Sequence, residues 1–312
     1  MRVSDITREL GYDMAGEDFD VFGVAFPDEA GGADIAAASS RRDILRTRAQ
    51  VVLVPPTVLV TDKTLLMTHE NMDLATVKIC ELLMRHRVIE DNAAPVDYRL
   101  CGGGYYAGKD CRISSTAVIE PGAMVGDRVV IGERCVVAAH AVIGSGTILE
   151  DAVQVGAGSH IGAPSFFHYH DADNALRQFP GCGRAVLRQN ARIGSHTVVQ
   201  RGTLSDTVIG ENNLIGNGVD VGHDVKTGKN CKIVSQTGIA GRAVLKDSVL
   251  VYGQCGIANG VVLGNHVVVK ARTVVTKSVR DNETVYGPFG RGYYDEMRLM
   301  ANIRKFFDGK EM

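Results

Sequence analysis

A six-residue repeat organises this chain from Arg112 to about Val279. Aliphatic residues recur at every sixth position, and glycine often follows them. The first run comprises Ile113, Ile119, Val125, Ile131, Val137, Ile143, Leu149, Val155 and Ile161. The pattern returns at Leu187, Ile193 and Val199, then continues from Ile209 to Val275 with only Thr227 not aliphatic. Neither the period of a strand nor that of a helix gives this spacing, whereas a short fixed repeat is typical of a parallel β-helix.

We therefore predict a mainly β protein built as a left-handed parallel β-helix of hexapeptide repeats. Each hexad supplies a short strand and a corner, and three hexads complete a triangular coil with the aliphatic side chain inside. Glycine is expected to permit the tight corners. The repeats predict a β-helix over 105–282, with a loop inserted at 163–186 and a smaller break at Gly202–Val208. A β-sandwich would need longer strands between regular turn signals.

The two ends of the chain lack the repeat. Residues 1–97 read as a small α/β domain with strands at Val21–Phe26 and Val51–Val54 and a helix at Glu70–Arg87. Pro95 and Cys101–Gly104 mark a linker. Residues 286–312 are predicted to cap the open end of the prism, through a turn at Tyr286–Arg291 and an amphipathic helix at Tyr293–Phe307.

Composition narrows the function classes. The net charge is −2 and there is no long basic tract, which argues against a nucleic-acid partner. No apolar run approaches the roughly 20 residues of a membrane-spanning helix. The N-terminal sequence does not resemble a signal peptide, and the 7 scattered cysteines contain no C-x-x-C pair, so we expect a cytoplasmic protein with reduced thiols. The histidines form no convergent set, and we expect neither a metal nor a bound cofactor.

One histidine is placed for chemistry. His223 lies between an inward-facing valine and Asp224, and residues 18 apart stack from coil to coil, so Gly241 lies one coil further on. A carboxylate next to imidazole orients the ring, and an exposed backbone N–H can hold a developing oxyanion. The three residues indicate acyl transfer with His223 as general base, although an isolated surface histidine is more often without function.

The motifs around His223 carry a family resemblance. The segments IGSHTVVQRG, TVIGENNLIGN, VDVGHDV, SQTGIAG and YGQCGIANGVVLG, together with FPGCGRAV in the inserted loop and VFGVAFPDEAGGADI near the start, resemble the UDP-3-O-acylglucosamine N-acyltransferases of lipid A synthesis. The resemblance implies a homotrimer that moves a hydroxyacyl group from acyl carrier protein to a sugar amine. It implies His223 as base and Gly241 as oxyanion donor.

The resemblance also suggests which side chains contact the substrates. Substrate binding is assigned to Phe166, Phe167 and His168 of the inserted loop and to Arg201, Asn217 and Gln236 of the matched motifs. The alternative for the loop is packing against its own or a neighbouring subunit. Acyl carrier proteins are acidic, so a docking strip is predicted from five basic residues, with an ordinary solvated face as the alternative: Arg242, Lys246, Lys270, Arg272 and Lys277.

Three departures from the family pattern change the expectations. Asp224 stands where the family usually has Asn and matches the His-Asp pair of the O-acyltransferase of the same pathway. Gly260 replaces a second histidine. Residues Asp34–Ser39 lack the aromatic and Asn that hold uracil, so we expect no aromatic stacking of a nucleotide base by residues 1–97. An acyltransferase that uses acyl-CoA in another pathway, or a non-catalytic scaffold, are the competing interpretations.

Trimer formation would require an apolar wall on the outside of the prism. We predict that Val198, Val234, Val251 and Val268 contribute to such a wall and bury it against the next subunit.

Overall fold

A parallel β-helix forms the main body of the protein, as the six-residue repeat predicts. The computed structural model describes residues 1–38, 40–58, 62–287 and 293–307. Before the β-helix come the helices α1 (Val3–Leu10), α2 (Arg41–Arg46) and α3 (Met72–Arg85) and the strands β1 (Asp13–Ala15), β2 (Gly23–Ala25), β3 (Asp34–Ala37), β4 (Val51–Val54) and β5 (Thr64–Met67). No helix in these described ranges is long and apolar enough to cross a membrane.

The N-terminal part is a five-stranded sheet in the order β1-β5-β4-β3-β2, parallel except for β1. The predicted strand Val51–Val54 is β4, and the strand predicted at Val21–Phe26 shortens to β2. The predicted helix Glu70–Arg87 begins at Met72 because the side chain of Asn71 caps it, accepting a hydrogen bond from the Asp73 N–H at 2.8 Å. Sequence reasoning missed β1, β3 and β5, which are too short to show a clear period.

Twenty-nine further strands form the prism and the hairpin inserted into it. In chain order they are β6 (Arg99–Leu100), β7 (Tyr106–Ala107), β8 (Arg112–Ile113), β9 (Val118–Ile119), β10 (Met124–Val125), β11 (Val130–Ile131), β12 (Val136–Val137), β13 (Val142–Ile143), β14 (Ile148–Leu149), β15 (Gln154–Val155), β16 (His160–Ala163), β17 (His168–His170), β18 (Leu176–Gln178), β19 (Ala185–Leu187), β20 (Arg192–Ile193), β21 (Val198–Gln200), β22 (Thr207–Ile209), β23 (Leu214–Ile215), β24 (Asp220–Val221), β25 (Lys226–Thr227), β26 (Lys232–Ile233), β27 (Gly238–Ile239), β28 (Val244–Leu245), β29 (Leu250–Val251), β30 (Gly256–Ile257), β31 (Val262–Leu263), β32 (Val268–Val269), β33 (Val274–Val275) and β34 (Thr284–Val285).

Three parallel sheets form the three walls of the prism. The first wall contains β7, β10, β13, β16, β21, β24, β27, β30 and β33, with β6 added antiparallel at its end. The second wall contains β8, β11, β14, β19, β22, β25, β28 and β31. The third wall contains β9, β12, β15, β20, β23, β26, β29, β32 and β34.

The second residue of each short wall strand points into the prism and stacks on its equivalents in neighbouring coils. Val125, Ile143, Ile161 and Val199 form one such column in the first wall, each fully buried. Thr227 fits this interior because its hydroxyl accepts hydrogen bonds from the Gly210 N–H, at 2.8 Å, and from the Asn213 side chain. Thr227, the one polar residue of the repeat, is therefore buried together with Asn213 without an unpaired hydroxyl.

Glycine has a different role from the predicted one. Most corner residues with positive φ are not glycine; Asp224, for example, has a φ of 58°. The repeated glycines instead allow close coil-to-coil approach, since a Cβ on Gly144 would lie 2.3 Å from the carbonyl oxygen of Gly162. Corner formation thus does not depend on glycine at its turning residue.

One prediction about the outside of the prism is wrong. Val251 is fully buried in the interior column of the third wall, so it cannot belong to an outer apolar wall, whereas Val198, Val234 and Val268 are half-buried. The helix α4 (Tyr293–Phe307) has the predicted bounds, but its apolar face is exposed in the single chain at Met297, Met300, Ile303 and Phe307. The role of this helix as a cap stays a prediction, and residues 288–291 of the predicted turn lie outside the described ranges.

The two breaks in the repeat join the prism to the N-terminal sheet. The inserted loop forms a hairpin of β17 and β18, and its Phe167, Tyr169 and Phe179 pack in an apolar cluster with α3. The shorter break, between β21 and β22, lies next to it. Lys226 also forms an ion pair with Glu29, across the same junction.

Candidate active site

His223 lies at the corner where the first wall turns into the second, directly after β24. This corner turns because Asp224 adopts a left-handed backbone conformation, while a Cβ on Gly222 would lie 2.7 Å from the backbone nitrogen of Gly241. The side chains of residues 223 and 224, which would point to opposite sides of a flat strand, are thereby brought together. Both residues are buried.

A network of hydrogen bonds holds the imidazole. His223 Nδ1 lies 2.7 Å from Oδ2 of Asp224. The Thr203 hydroxyl donates to the same oxygen at 2.6 Å, and the Thr203 and Ser205 N–H groups donate to Oδ1 at 2.9 and 3.1 Å. A carboxylate can only accept, so Nδ1 carries the proton and Nε2 is left with a free lone pair. Nε2 is thus the atom that can act as a base.

The same contacts keep Asp224 ionised. Burial by itself would raise its pKa, but hydrogen bonds from His223, Thr203 and Ser205 outweigh that effect and lower the pKa below its ordinary value. Sequence reasoning missed Thr203 and Ser205 because they lie about 20 residues before Asp224, in the shorter break. The Ser/Thr-rich composition of that break was the available signal.

Gly241 lies against the reactive edge of the imidazole. The pairing of β24 with β27 places it one coil above His223, and a Cβ there would lie 2.4 Å from Nε2. Among the described residues no hydrogen-bond acceptor satisfies the Gly241 N–H. A free donor next to Nε2 is the arrangement that stabilises an oxyanion while a base removes a proton.

Two aromatic residues of the inserted loop border this corner. The Phe167 ring lies 5.2 Å from the His223 ring, centroid to centroid, and Phe166 is exposed along the groove that contains His223 and Gly241. His168 contacts the Phe166 ring, with centroids 4.8 Å apart, and does not line the groove. Gln200 and Asp220 do line it, and sequence reasoning had not selected them.

Three predicted substrate contacts lie elsewhere in this chain. The Arg201 guanidinium is buried and donates to the carbonyl oxygens of Gly162, at 3.0 Å, and Asn92, so it joins the linker to the prism and is not available to a substrate. Asn217 and Gln236 lie at the corner between the third and first walls, where they bond to Ser195 and Gln254. A residue can therefore belong to a motif close to His223 in sequence and still lie at a different corner of the prism.

The five predicted docking residues do not form one strip. Arg242 and Lys277 lie at or beyond the His223 corner, between the first and second walls, whereas Lys246 lies between the second and third walls, and Lys270 and Arg272 lie between the third and first. Residues of different coils share a corner only when their separation is close to a multiple of 18, and most of these spacings are not. Arg242 is also engaged, with its guanidinium 4.1 Å from the centre of the Phe26 ring.

A second cavity lies between the N-terminal sheet and the prism. Its lining includes Phe26, Arg46 and Met72 from the N-terminal part and Phe167 and Arg242 from the other side. Phe22, another aromatic of residues 1–97, is 62% exposed on the surface. No group of metal-ligating side chains occurs among the described residues.

Asp224→Asn is expected to make the protein less stable at neutral pH by about 2 kcal/mol, because an amide cannot accept all the donors that surround the carboxylate. The folded pKa of Asp224 is lowered, so its contribution is complete above the ordinary value of about 3.9 and is lost as the pH falls through the folded value. Melting temperatures of wild type and variant should differ at pH 7 and converge in strong acid. A constant difference down to the lowest pH would contradict the assigned network.

The fold and this corner define the class of protein, a hexapeptide-repeat β-helix. Residues 110–145 match the family model described as bacterial transferase hexapeptide (six repeats). The chain is similar in structure to the UDP-N-acetylglucosamine O-acyltransferase of Moraxella catarrhalis, with a TM-score of 0.53, 24% identity and coverage of 63% of this chain and 76% of that one. The UDP-N-acetylglucosamine acyltransferase from Campylobacter jejuni gives a TM-score of 0.53 at 19% identity, over 67% of this chain and 90% of that one. At such identities the likeness supports the fold.

Sequence relatives narrow the class further. The chain is 37% identical over 137 residues to the UDP-3-O-acylglucosamine N-acyltransferase of Caulobacter sp. (strain K31), which is 44% of this chain and 40% of the relative. It is 30% identical over 153 residues to the enzyme of the same name from Methylobacterium sp. (strain 4-46), over 49% of this chain and 43% of the relative. The resemblance to the UDP-3-O-acylglucosamine N-acyltransferases is thereby confirmed, and the chain spans less than half the length of these curated relatives.

Proposed function

We propose that this protein is an N-acyltransferase that moves a hydroxyacyl group from the thioester of acyl carrier protein to the amine of a nucleotide-linked amino sugar. One observation carries the proposal: His223 Nε2, left free by the 2.7 Å contact of Nδ1 with Asp224, lies against Gly241, whose N–H has no acceptor among the described residues. A base beside an oxyanion donor suits acyl transfer to an amine. A scaffold would need neither, and the names of the sequence relatives favour the amine of an acylglucosamine.

In the proposed mechanism the amine attacks the thioester carbonyl carbon while His223 Nε2 takes its proton. The Gly241 N–H binds the carbonyl oxygen as it becomes negative, and the buried Asp224 carboxylate stabilises the imidazolium. When the tetrahedral intermediate collapses, the C–S bond breaks and the imidazolium returns its proton to the leaving thiolate. No bound cofactor takes part in this scheme.

The acyl chain is proposed to lie in a groove along the first wall. The outward-facing residues of β24, β27, β30 and β33 are Asp220, Gly238, Gly256 and Val274, so two glycines form a floor between larger side chains. A Cβ on Gly238 would meet no atom within 4 Å. At about 4.8 Å between coils, this open stretch runs roughly 14 Å from Asp220 to Val274.

Gly256→Leu should shorten the acyl chain that the protein accepts. A leucine side chain would fill the groove between Gly238 and Val274 and displace about three methylenes, each worth about 0.8 kcal/mol, which lowers kcat/KM for long-chain donors about 50-fold. Rates with acetyl and long-chain donors check this. Gly103→Leu, outside the groove, is the control. Equal losses for short and long donors would exclude this path for the chain.

The acceptor is proposed to occupy the cavity between the N-terminal sheet and the prism. Arg46 and Arg242 line it and can pair with the phosphates of a nucleotide sugar, although Asp28, Asp43 and Asp73 line it too. Arg242 covers the Phe26 ring, which agrees with the expectation that no nucleotide base stacks on an aromatic of residues 1–97. This expectation stays a prediction. A structure with a UDP-sugar whose base stacks on Phe22 or Phe26 would contradict it.

Assembly is proposed to be a homotrimer, in which Val198, Val234 and Val268 help to bury the outside of one prism against the next. The donor assignment is tested by supplying the same acyl group on acyl carrier protein or on CoA with an amino-sugar acceptor. Faster turnover of the carrier-protein thioester supports the proposal. Turnover of acyl-CoA alone would favour the competing acyl-CoA-dependent transferase.

Charge reversal at two different corners of the prism tests which corner the carrier protein approaches. Lys277 follows β33 of the first wall, beyond the groove, whereas Arg272 lies at the corner between the third and first walls. Lys277→Glu should raise the donor KM severalfold at low salt, by roughly 1 kcal/mol, since it repels an acidic carrier protein approaching the groove. Arg272→Glu is the matched control with a small effect. A donor KM that changes neither with Lys277→Glu nor with salt concentration would exclude docking of the carrier protein at Lys277.

A further inference from the structure

The outer face of α2 carries a local excess of positive charge. Residues 41–48 contain four arginines and one aspartate, a net charge of +3 in a chain whose net charge is −2. The fully buried Ile44 packs α2 on the N-terminal sheet. Residues four apart share one face of a helix, so the side away from Ile44 presents a group of exposed side chains: Arg41, Arg42, Leu45 and Arg46. Arg48, directly after α2, is exposed as well.

In the described part of the chain, no carboxylate forms an ion pair with these four arginines. Lys63 adds a further positive charge beside them, since its Nζ donates to two backbone carbonyl oxygens just after α2, at 2.8 and 3.2 Å. By contrast, Arg8 of α1 and Arg85 of α3 each pair with a carboxylate, at 3.0 and 3.7 Å. The charge of α2 is therefore available to an anionic partner.

Leu45 indicates what kind of anionic partner fits. It is 65% exposed in the middle of the arginines. An acidic protein surface matched by charge alone, or a free phosphate, would satisfy the arginines and leave Leu45 in water. A surface of anionic lipid satisfies both, because its phosphates attract the guanidinium groups and its acyl boundary accepts an apolar side chain that lies between them.

We propose that the outer face of α2 binds the surface of an anionic lipid membrane. The purpose of this contact rests on the proposed function. The acceptor in the names of the sequence relatives carries one acyl chain, so the product carries two, and two chains hold a molecule in a membrane far more firmly than one. Arg46 also lines the cavity proposed for the acceptor, so the contact places the mouth of that cavity at the lipid surface.

The first test measures binding of the full chain to vesicles by flotation. At low salt the protein should float with vesicles of phosphatidylcholine and phosphatidylglycerol, but not with phosphatidylcholine alone and not at high salt. Arg41→Glu combined with Arg42→Glu should weaken binding to the anionic vesicles by at least about 25-fold. Each basic residue near such a surface is worth about 1 kcal/mol, which is a factor of about five.

A second double variant is the matched control for flotation. Arg8→Glu combined with Arg85→Glu changes the net charge equally, in the same N-terminal part, at arginines that already have carboxylate partners. It should change vesicle binding little. All four substituted arginines are exposed, so both double variants should remain folded.

A fluorescent reporter tests whether Leu45 enters the lipid. The chain contains no tryptophan, so Leu45→Trp gives a single emission signal. Its emission should move to shorter wavelengths with the anionic vesicles, because the indole leaves water for the lipid interface. Leu100→Trp, at a position that is 68% exposed in β6, is the control and should keep its emission.

Neither readout requires turnover, so failure of this inference and failure of the proposed function are distinguishable. Flotation with a shifted Leu45→Trp emission supports the lipid contact even if no acyl transfer is found, whereas acyl transfer without flotation overturns the contact alone. Flotation of Arg41→Glu with Arg42→Glu like wild type, or an unchanged Leu45→Trp emission, overturns it as well. A raised donor KM in that double variant, without vesicle binding by wild type, would assign the outer face of α2 to the carrier protein instead.

Discussion

His223→Ala is expected to lower kcat about 10²–10⁴-fold, the usual contribution of a positioned acid–base group. The amine must lose a proton as its bond to carbon forms, and no other imidazole lines the groove around Gly241 in the described part of the chain. Initial rates with a carrier-protein thioester and an amino sugar give the measurement. Asp224→Asn should cost less, because an amide oxygen can still accept from Nδ1 and orient the ring.

Two controls keep this result specific. His266→Asn alters an exposed corner histidine away from the groove, and Asn tolerates the left-handed backbone found there. It should leave the rate unchanged. The sedimentation of His223→Ala should match that of wild type, and its melting curve should show that it is folded at the assay temperature although it lacks the hydrogen bond to Asp224. Full turnover by His223→Ala with a correct donor and acceptor would place the active site elsewhere.

Gly241→Ala is expected to produce the second large loss, about 10²–10³-fold in kcat. The added methyl carbon would lie 2.4 Å from His223 Nε2, so the imidazole must move. This movement takes the base away from the groove and from the Gly241 N–H that is proposed to bind the oxyanion. Overpacking of this kind also costs about 1–3 kcal/mol of stability. Rates and thermal unfolding of the same sample separate the two effects.

Gly102→Ala is the control for this substitution. It lies outside the groove, its added Cβ would meet nothing within 4 Å, and its φ is not in the left-handed region. Activity within a fewfold of wild type is expected. If Gly241→Ala also kept its rate, the oxyanion donor would have to be another group.

The interior of the prism could be predicted residue by residue, because each inward position depends only on the spacing between nearby residues in the sequence. Each inward aliphatic is fixed by its distance from the previous one, so Val125, Ile143 and Ile161 were correctly placed in one buried column. The position of Gly241 above His223 follows from the same arithmetic, because 18 residues complete a coil.

Features that depend on the breaks and on the corners could not be predicted in this way. Thr203 and Ser205 reach Asp224 because the shorter break folds back over the next coil, and no period relates them to it. Arg201 looked like a surface residue of a motif, yet its guanidinium is buried against the linker. The exposed apolar face of α4 could not be told from a capping face, since amphipathicity does not identify what a helix packs against.

Transfer of an acyl group to an amine at the His223 corner is best tested by the chemical nature of the product. The protein would be incubated with a hydroxyacyl-carrier-protein thioester and UDP-linked 3-O-acylglucosamine, and the product followed by mass spectrometry before and after mild alkali. Amides resist mild alkali, whereas esters are cleaved. We expect one added acyl group that survives this treatment and is absent with His223→Ala. An added group that alkali removes, or the same product from His223→Ala, would contradict it.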